Sequence, residues 1–476
     1  MKTPAHPLLR GATLGAAVLS AAGLAALACS DPDVRIGYVE PDGSVDGSTE
    51  PSLPPSDDGG IPDPTDAAEP EPEDAGVMFD GAAEEVVCAT TPCATQIVGG
   101  DTYFCARISD GTVQCWGTDT RGALGRPSLD AGVNAVAAPA PVEGLEGVTQ
   151  LSARLATCSR HDDGTVRCWG SNANGQLGVR TPPASDTLSH PIATEVPLPE
   201  PALRVDANDM TSCAVLESGK VACWGATAYG LLGRIQTGFV GAPDIAIRVE
   251  PKIVKTTTGV GITEDAELLT WAGLLGRQAS LQPTDPAFKP MTIPAFGNVH
   301  DIASEVTYAN DPAAGAFRPF GHSCAVVAGA VYCWGTANTS GALCTGIPAA
   351  EPTPVRVSLP LDAGVFAQQV TVSKKNTCVR LTDGSVRCCG ADEVGQLGRG
   401  APDGGAPTTT PVPVLVVASA VTGPVVQVAL GGDTACALRK DGSIACWGSN
   451  AFGQLGTGAR DTAPHPTPVD VTLGAP

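Results

Sequence analysis

The chain reads as an all-β protein built by repetition, and three observations carry that reading. One segment recurs seven times, most clearly as TACALRKDGSIACWGSNAFGQLGTG from Thr434 to Gly458. The residue ending its second strand returns at Trp116, Trp169, Trp224, Trp271, Trp334, Cys389 and Trp447, at intervals of 47 to 63 residues. Self-similarity on that period marks a repeat architecture. Six of the seven copies also carry two cysteines at a spacing that follows the length of the turn between them.

The N-terminal elements come first. Lys2 and Arg10 precede a run of apolar and small residues, Gly11 to Ala28, that ends at Cys29. A basic end, a short apolar stretch and small residues before a cut site describe a secretory signal. The run is close to the minimum for a membrane span, so a transmembrane anchor is the competing reading. Ala26-Leu27-Ala28-Cys29 resembles a bacterial lipobox, although that pattern prefers leucine where Ala26 stands. The resemblance implies residues 1–29 as a lipoprotein-type signal, lipid on Cys29, and an exported protein held at the outer membrane or cell surface. Plain secretion is the alternative. Residues 30–85 follow as a linker rich in Pro, Asp, Glu, Gly and Ser, with a charge of −14 between Ser30 and Asp80. Such a stretch buries too little apolar surface to offset its ordering entropy, and its like charges extend it. The sequence predicts a disordered linker here, either a stalk that holds the folded part away from a membrane or a mere spacer.

Residues 86–476 hold the repeats. Each is a short strand, a tight turn, a second strand ending in C-W-G, and a glycine-rich loop. Asp110-Gly111, Asp163-Gly164, Ser218-Gly219, Asp383-Gly384 and Asp441-Gly442 mark hairpin turns. The cysteines pair as 105/115, 158/168, 213/223, 378/388 and 436/446, ten residues apart, and as 324/333, nine apart. A three-residue turn at Lys440-Asp441-Gly442 sets Cys436 opposite Cys446. A two-residue turn at Ala328-Gly329 sets Cys324 opposite Cys333. Opposed strand residues lie within disulfide range. The fourth repeat holds Val260 and Thr270 at these sites, so both cysteines vanish together. Disulfides Cys105–Cys115, Cys158–Cys168, Cys213–Cys223, Cys324–Cys333, Cys378–Cys388 and Cys436–Cys446 follow, and they suit an oxidising compartment. Zinc competes poorly, because no C-x-x-C or histidine partners accompany the sites. Cys88 and Cys93 could close a small loop. Cys344 takes the last glycine of its G-x-L-G, and Cys389 takes the next repeat's tryptophan, which suggests a bridge between these two.

The repeats resemble those of the regulator of chromosome condensation family. Trp447-Gly448-Ser449-Asn450 leads to Gly453-Gln454-Leu455-Gly456, Trp169-Gly170-Ser171-Asn172 leads to Gly175-Gln176-Leu177-Gly178, and Gly321-His322-Ser323 matches the start of the family's inner strand. The resemblance covers residues 94–476 and implies a seven-bladed β-propeller of four-stranded antiparallel blades, with one disulfide-stapled hairpin in six of the seven. Trp271-Ala272 makes the fourth blade the most degenerate. Physics agrees: one unit cannot bury its own faces, and a closed ring leaves only short, protected edges. Val469 to Leu473 is expected to close the ring beside the first repeat.

Function is less legible. A net charge of −22 argues against nucleic acid, whose binders need a basic surface. His6, His161, His190, His300, His322 and His465 are scattered without metal spacing, and no phosphate-binding loop occurs. No catalytic residue, metal or cofactor is expected. The D-G-x-V-x-C-W stretches resemble sialidase aspartate boxes, but the aspartate fits a hairpin turn. Tryptophans at repeat spacing read as packing. The largest departure from the pattern runs from Gln278 to Gly321. It contains Phe296, Tyr308, Phe317, Arg318 and Phe320, an aromatic-plus-arginine composition typical of binding hot spots, or else an unstructured insertion. The preferred reading is a monomeric envelope or extracellular binding module on a flexible tether. Its partner would be a protein or envelope macromolecule, and its only membrane contact would be the lipid. The alternatives are a propeller that inhibits an enzyme, as some secreted bacterial relatives do, a nucleotide-exchange regulator like the family's name-giving members, and a glycan-active enzyme.

Overall fold

Each strand–turn–strand unit read from the sequence becomes the second and third strands of a four-stranded antiparallel sheet. The computed structural model describes residue 79 and residues 84–474, apart from 128–133, 180–184, 227–238, 248–251, 272–290, 293–295, 312–315, 337–339, 348, 360–361, 363 and 401–407. Among the described residues, twenty-eight strands, β1 to β28 along the chain, group into seven sheets of four consecutive strands. The first strands of the sheets are β1 (Ala94–Gly99), β5 (Val148–Ala153), β9 (Ala202–Ala207), β13 (Ile253–Thr257), β17 (Val299–Asp311), β21 (Ala367–Val372) and β25 (Val425–Gly431). All seven line one central channel. The fold is a seven-bladed β-propeller. Gly321-His322-Ser323, expected on an inner strand, lies on the second strand of blade five, β18 (Ala316–Val327). The inner strands were harder to read because they carry neither a turn signal nor a cysteine.

Register explains the cysteine spacing. Cys436 stands directly opposite Cys446, and Cys324 opposite Cys333 across the shorter turn; Val260 faces Thr270 in the blade that lacks both. In each of the six hairpins the two sulfurs lie at bonding distance, with Cα atoms 4.0–4.1 Å apart. The turns differ as their lengths require. Gly442 takes φ +83 in the three-residue turn, and Asp441 Oδ1 accepts the Ser443 N–H at 2.9 Å. In the two-residue turn Ala328 and Gly329 both have positive φ, the requirement of a type I′ hairpin. Asp110, Asp163 and Asp383 accept the same local N–H bond, so these aspartates serve the turns.

The core is divided into slabs between blades. Seven clusters of buried apolar residues lie one at each interface of the ring. Trp116, Trp169, Trp224, Trp271, Trp334 and Trp447 are fully buried, each in the slab against the preceding blade. The indole also makes a directed bond. Trp169 Nε1 donates to Ala123 O at 3.0 Å, Trp224 to Gln176 O at 2.6 Å, Trp447 to Gln396 O at 2.9 Å and Trp116 to Gln454 O at 2.8 Å. Every acceptor is the second residue of the preceding blade's G-x-L-G. The motif's last glycine lies against the same ring: a Cβ on Gly398 would sit 2.8 Å from Trp447 Nε1. Between blades five and six the pair is replaced. Cys344 stands at the glycine and Cys389 at the tryptophan, their sulfurs are at bonding distance, and Thr377 Oγ1 donates to Ala342 O at 2.7 Å in place of the indole. Cys88 and Cys93 are likewise at bonding distance.

Ring closure uses side chains. The last strand, β28 (His465–Asp470), pairs within blade seven. The residues after it cross to blade one. Gln114 clasps Gly474 through both its N–H and its carbonyl at 2.9 Å, and Val471 and Leu473 pack on the slab between blades seven and one.

Candidate functional site

A belt of side chains encircles the channel and fixes the two faces relative to each other. The third residue of the inner strands is Gln96, Gln150, Arg204, Lys255, Asp301, Gln369 and Gln427 in blade order. Gln96, Gln150 and Gln369 each clasp the next blade, accepting the N–H and donating to the C=O of Leu151, Val205 and Val428 at 2.8–3.1 Å. Gln427 accepts Ile97 N–H at 3.0 Å and so joins blade seven to blade one. Where glutamine is missing, charges serve. Asp206, held by Arg204, accepts Thr256 N–H at 3.2 Å, Asp301 accepts Val370 N–H at 2.9 Å, and Lys255 pairs with Asp301.

One mouth of the channel lies at the outgoing ends of the inner strands. Arg154 reaches across it, donating to Val372 O at 2.8 Å and pairing with Glu305. Lys374 pairs with Asp101 at 2.9 Å, and Lys375 lies 3.5 Å from Asp433 and 3.6 Å from Glu393. Burial pushes the Glu305 carboxyl up to about 8, opposed by Arg154 and reinforced by the charge and hydrogen bond of Asp209. Asp209 and Glu305 are therefore a close carboxyl pair that sequence reading could not pick out, because they come from different blades. Burial opposes the Arg154 charge, but Asp209 and Asp101, joined by Glu305 once it ionises, outweigh it and hold the guanidinium protonated. His322, in β18, is pushed down to about 3 by burial and by Arg154, and its Nε2 bonds Thr377 Oγ1 at 2.7 Å. It is a satisfied core histidine.

From this face rises one hairpin longer than the rest. β17 has 13 residues and β18 has 12, against four to seven in the corresponding strands of the other blades. The extra pairing runs from Val306–Gly321 to Asp311–Ala316. It carries the hairpin roughly 20 Å further at the usual rise per strand residue. The sequence departure read at 278–321 is thus, over 306–311 and 316–321, a paired extension of blade five. Of the five residues singled out there, Phe320 is 45% exposed on β18. Tyr308, Phe317 and Arg318 lie on the paired backbone, and their side chains fall outside the described part. Phe296 does not join them: it packs edge-on against Tyr332, 4.8 Å between ring centres, on the slab between blades four and five.

The opposite mouth is crossed by the segment before blade one. Val87 N–H donates to Lys440 O at 2.7 Å, Glu84 pairs with Lys440 at 3.2 Å, and Phe79 stands edge-on to His300 and Phe366 at 4.4 and 5.7 Å. Two histidines that look scattered in sequence occupy equivalent places on the hairpin side. Asn172, Asp186 and His190 form a chain of hydrogen bonds in blade two, and Asn450, Asp461 and His465 repeat it in blade seven. The aspartate also takes a loop N–H in each, so the trio shapes the loop between third and fourth strands. Among the described residues no group of His, Cys, Asp and Glu could hold a metal ion, and no helix is long and apolar enough to cross a membrane.

This geometry meets its counterpart in known proteins. Family models described as the Regulator of chromosome condensation (RCC1) repeat match residues 156–176 and 425–454, and 383–438 and 441–474. These stretches fall in blades two, six and seven, where G-Q-L-G is complete. The human Regulator of chromosome condensation is 26% identical over 364 residues, 73% of this chain and 82% of that protein. The E3 ubiquitin-protein ligase HERC2 of Mus musculus is 26% identical over 331 residues; they make up 67% of this chain but only 6% of the ligase. Among solved structures, Prp20p from Saccharomyces cerevisiae superposes with a TM-score of 0.62 at 18% identity, covering 82% of this chain and 87% of its own. The chain is a seven-bladed propeller, and stretches of its blades two, six and seven match the RCC1 repeat.

Proposed function

We propose that this protein is a binding module that docks a protein partner on the face bearing the β17–β18 hairpin. The long hairpin is the observation that carries the reading. It breaks the seven-fold regularity, stands beside a charged channel mouth, and offers exposed Phe320. The opposite face is crossed by residues 84–93. Loops on a rigid ring are where such folds place recognition. Two structures of the similar yeast protein support a protein-binding role: one concerns its binding to Gsp1p and histones, the other its complex with Kap60. Export, lipid on Cys29 and attachment at the cell envelope belong to the same proposal, as does pairing of all sixteen remaining cysteines.

A photo-crosslinking amino acid at Phe320 of the full-length protein, with a second probe at exposed Val254 near the other mouth, tests the face. The expected result is one discrete adduct from position 320 and none from position 254. Adducts from position 254 alone would overturn the reading. An adduct with a small GTPase would favour the exchange regulator. Labelling with radioactive palmitate, retained by wild type and lost in Cys29→Ser, checks the anchor.

A further inference from the structure

The mouth crossed by the N-terminal segment opens into a funnel of about 600 Å³, and its chemistry differs from that of the rest of this acidic protein. Arg107, Arg204, Lys255 and Arg380 line it, against the carboxylates Glu84, Glu85 and Asp301. Arg204 is neutralised by Asp206 at 2.9 Å, and Lys255 by Asp301. Arg107 and Arg380 are not neutralised. Among the described residues no carboxylate lies within ion-pairing distance of either, and the Nε of each is buried without a hydrogen-bond partner. Arg380 is only 2% exposed, and its one hydrogen bond is a long 3.4 Å contact to the neighbouring Leu381 O. The carboxylates that face it, Glu84 and Asp301, are already engaged with Lys440 and Lys255.

A buried guanidinium without a counter-charge is costly, because charge is stable out of water only when paired and hydrogen-bonded. The two arginines hold equivalent places. Each lies two residues after the first cysteine of its hairpin and opposite a belt glutamine, Gln96 or Gln369. The same position in blade two shows what satisfaction looks like: Arg160 donates to Ala202 O at 2.6 Å and to Thr149 Oγ1 at 2.7 Å. Arg107 and Arg380 instead face the funnel, with unused donors in the fork geometry that matches planar and tetrahedral oxyanions. Burial pushes both guanidinium pKa values down, as an unmet need for negative charge would.

We propose that this funnel binds an oxyanion, the carboxylate or phosphate group of a small ligand, between Arg107 and Arg380. The site lies opposite the docking face and stands or falls independently of it. Citrate and inorganic phosphate are the probes, each titrated into the full-length protein at constant ionic strength set with sodium chloride. The expected result is a saturable rise in melting temperature with at least one of them, and the tighter of the two identifies the source chemistry. Arg107→Gln should weaken binding by about tenfold or more, as loss of a charge-assisted bidentate contact does. Arg380→Met supplies the crossed test. It should raise the melting temperature without anion, since an uncompensated charge is removed, and abolish the response to anion. A merely structural Arg380 would instead give a lower melting temperature. That result, or a response to neither probe greater than to sodium chloride, or titrations unchanged in both variants, overturns the proposal.

Discussion

Glu305 and His322 set opposite limits on stability with pH. The folded state holds the Glu305 proton up to about pH 8, well above its ordinary 4.5. Its contribution is therefore complete below the unfolded value and is lost as pH rises through 8. His322 runs the other way. Its folded value of about 3 lies below the ordinary 6.5, so its contribution is complete above 6.5 and drains away as pH falls toward 3. Glu305→Gln should flatten the fall in melting temperature as pH rises from 4.5 to 8, and His322→Gln the fall as pH drops from 6.5 to 3. Unchanged slopes in both variants would show that other groups set them. Neither role was visible in the sequence. Glu305 is ordinary in its strand, and its environment is made by Arg154 and Asp209, which fold brings from 151 and 96 residues away in the chain. The turn aspartates were legible, because their partner is two residues on.

At the scale of the element, the blade junction is the unit that varies. Among the described residues, five junctions place a tryptophan of one blade, or its substitute, over the G-x-L-G of the blade before: four use indole and glycine, and one uses Cys344 and Cys389. The disulfide closes a loop of 45 residues, so Cys389→Ser should cost about 4 kcal/mol by chain entropy. The double variant Cys344→Gly with Cys389→Trp should recover much of that, since a buried tryptophan contributes about 3–5 kcal/mol. Denaturant titration under non-reducing conditions measures both. Recovery of nothing would mean that the two junctions are not physically equivalent. Blade four is the weak element. It has no cysteine pair, Trp271 is followed by alanine, and Trp334 Nε1 of the next blade has no hydrogen-bond partner among the described residues. Its strands should exchange amide hydrogens faster than those of blade seven, because local opening follows the local density of packing and hydrogen bonds. The paired substitutions at 344 and 389 could be read from sequence because each broke the shared pattern, in neighbouring repeats. The length of the β17–β18 hairpin could not, since departure from a pattern does not say whether the new segment is paired.

The whole molecule depends on closing the ring. The first and last blades are joined by Gln427 to Ile97, Trp116 to Gln454, Gln114 to Gly474, and the packing of Val471 and Leu473. Removing residues 471–476 deletes the clasp and this apolar cover, with an expected loss of about 2–4 kcal/mol. Calorimetry should show a lower transition temperature, and an unchanged one would place closure in the belt and tryptophan contacts alone.

Repetition is what made so much of this readable from sequence alone. A period near 50 residues, a turn whose length moves with its cysteines, and a tryptophan over a glycine are local or nearest-neighbour relations, and seven copies state each of them again. They determined the all-β class, the hairpin register, the cysteine partners and the need for a ring. Only the tertiary structure decided which strand lines the channel, which face carries the long hairpin, and where charges are left without partners. Those properties arise when residues from blades far apart in sequence meet at one axis. No repeat, taken singly, contains the information for that meeting.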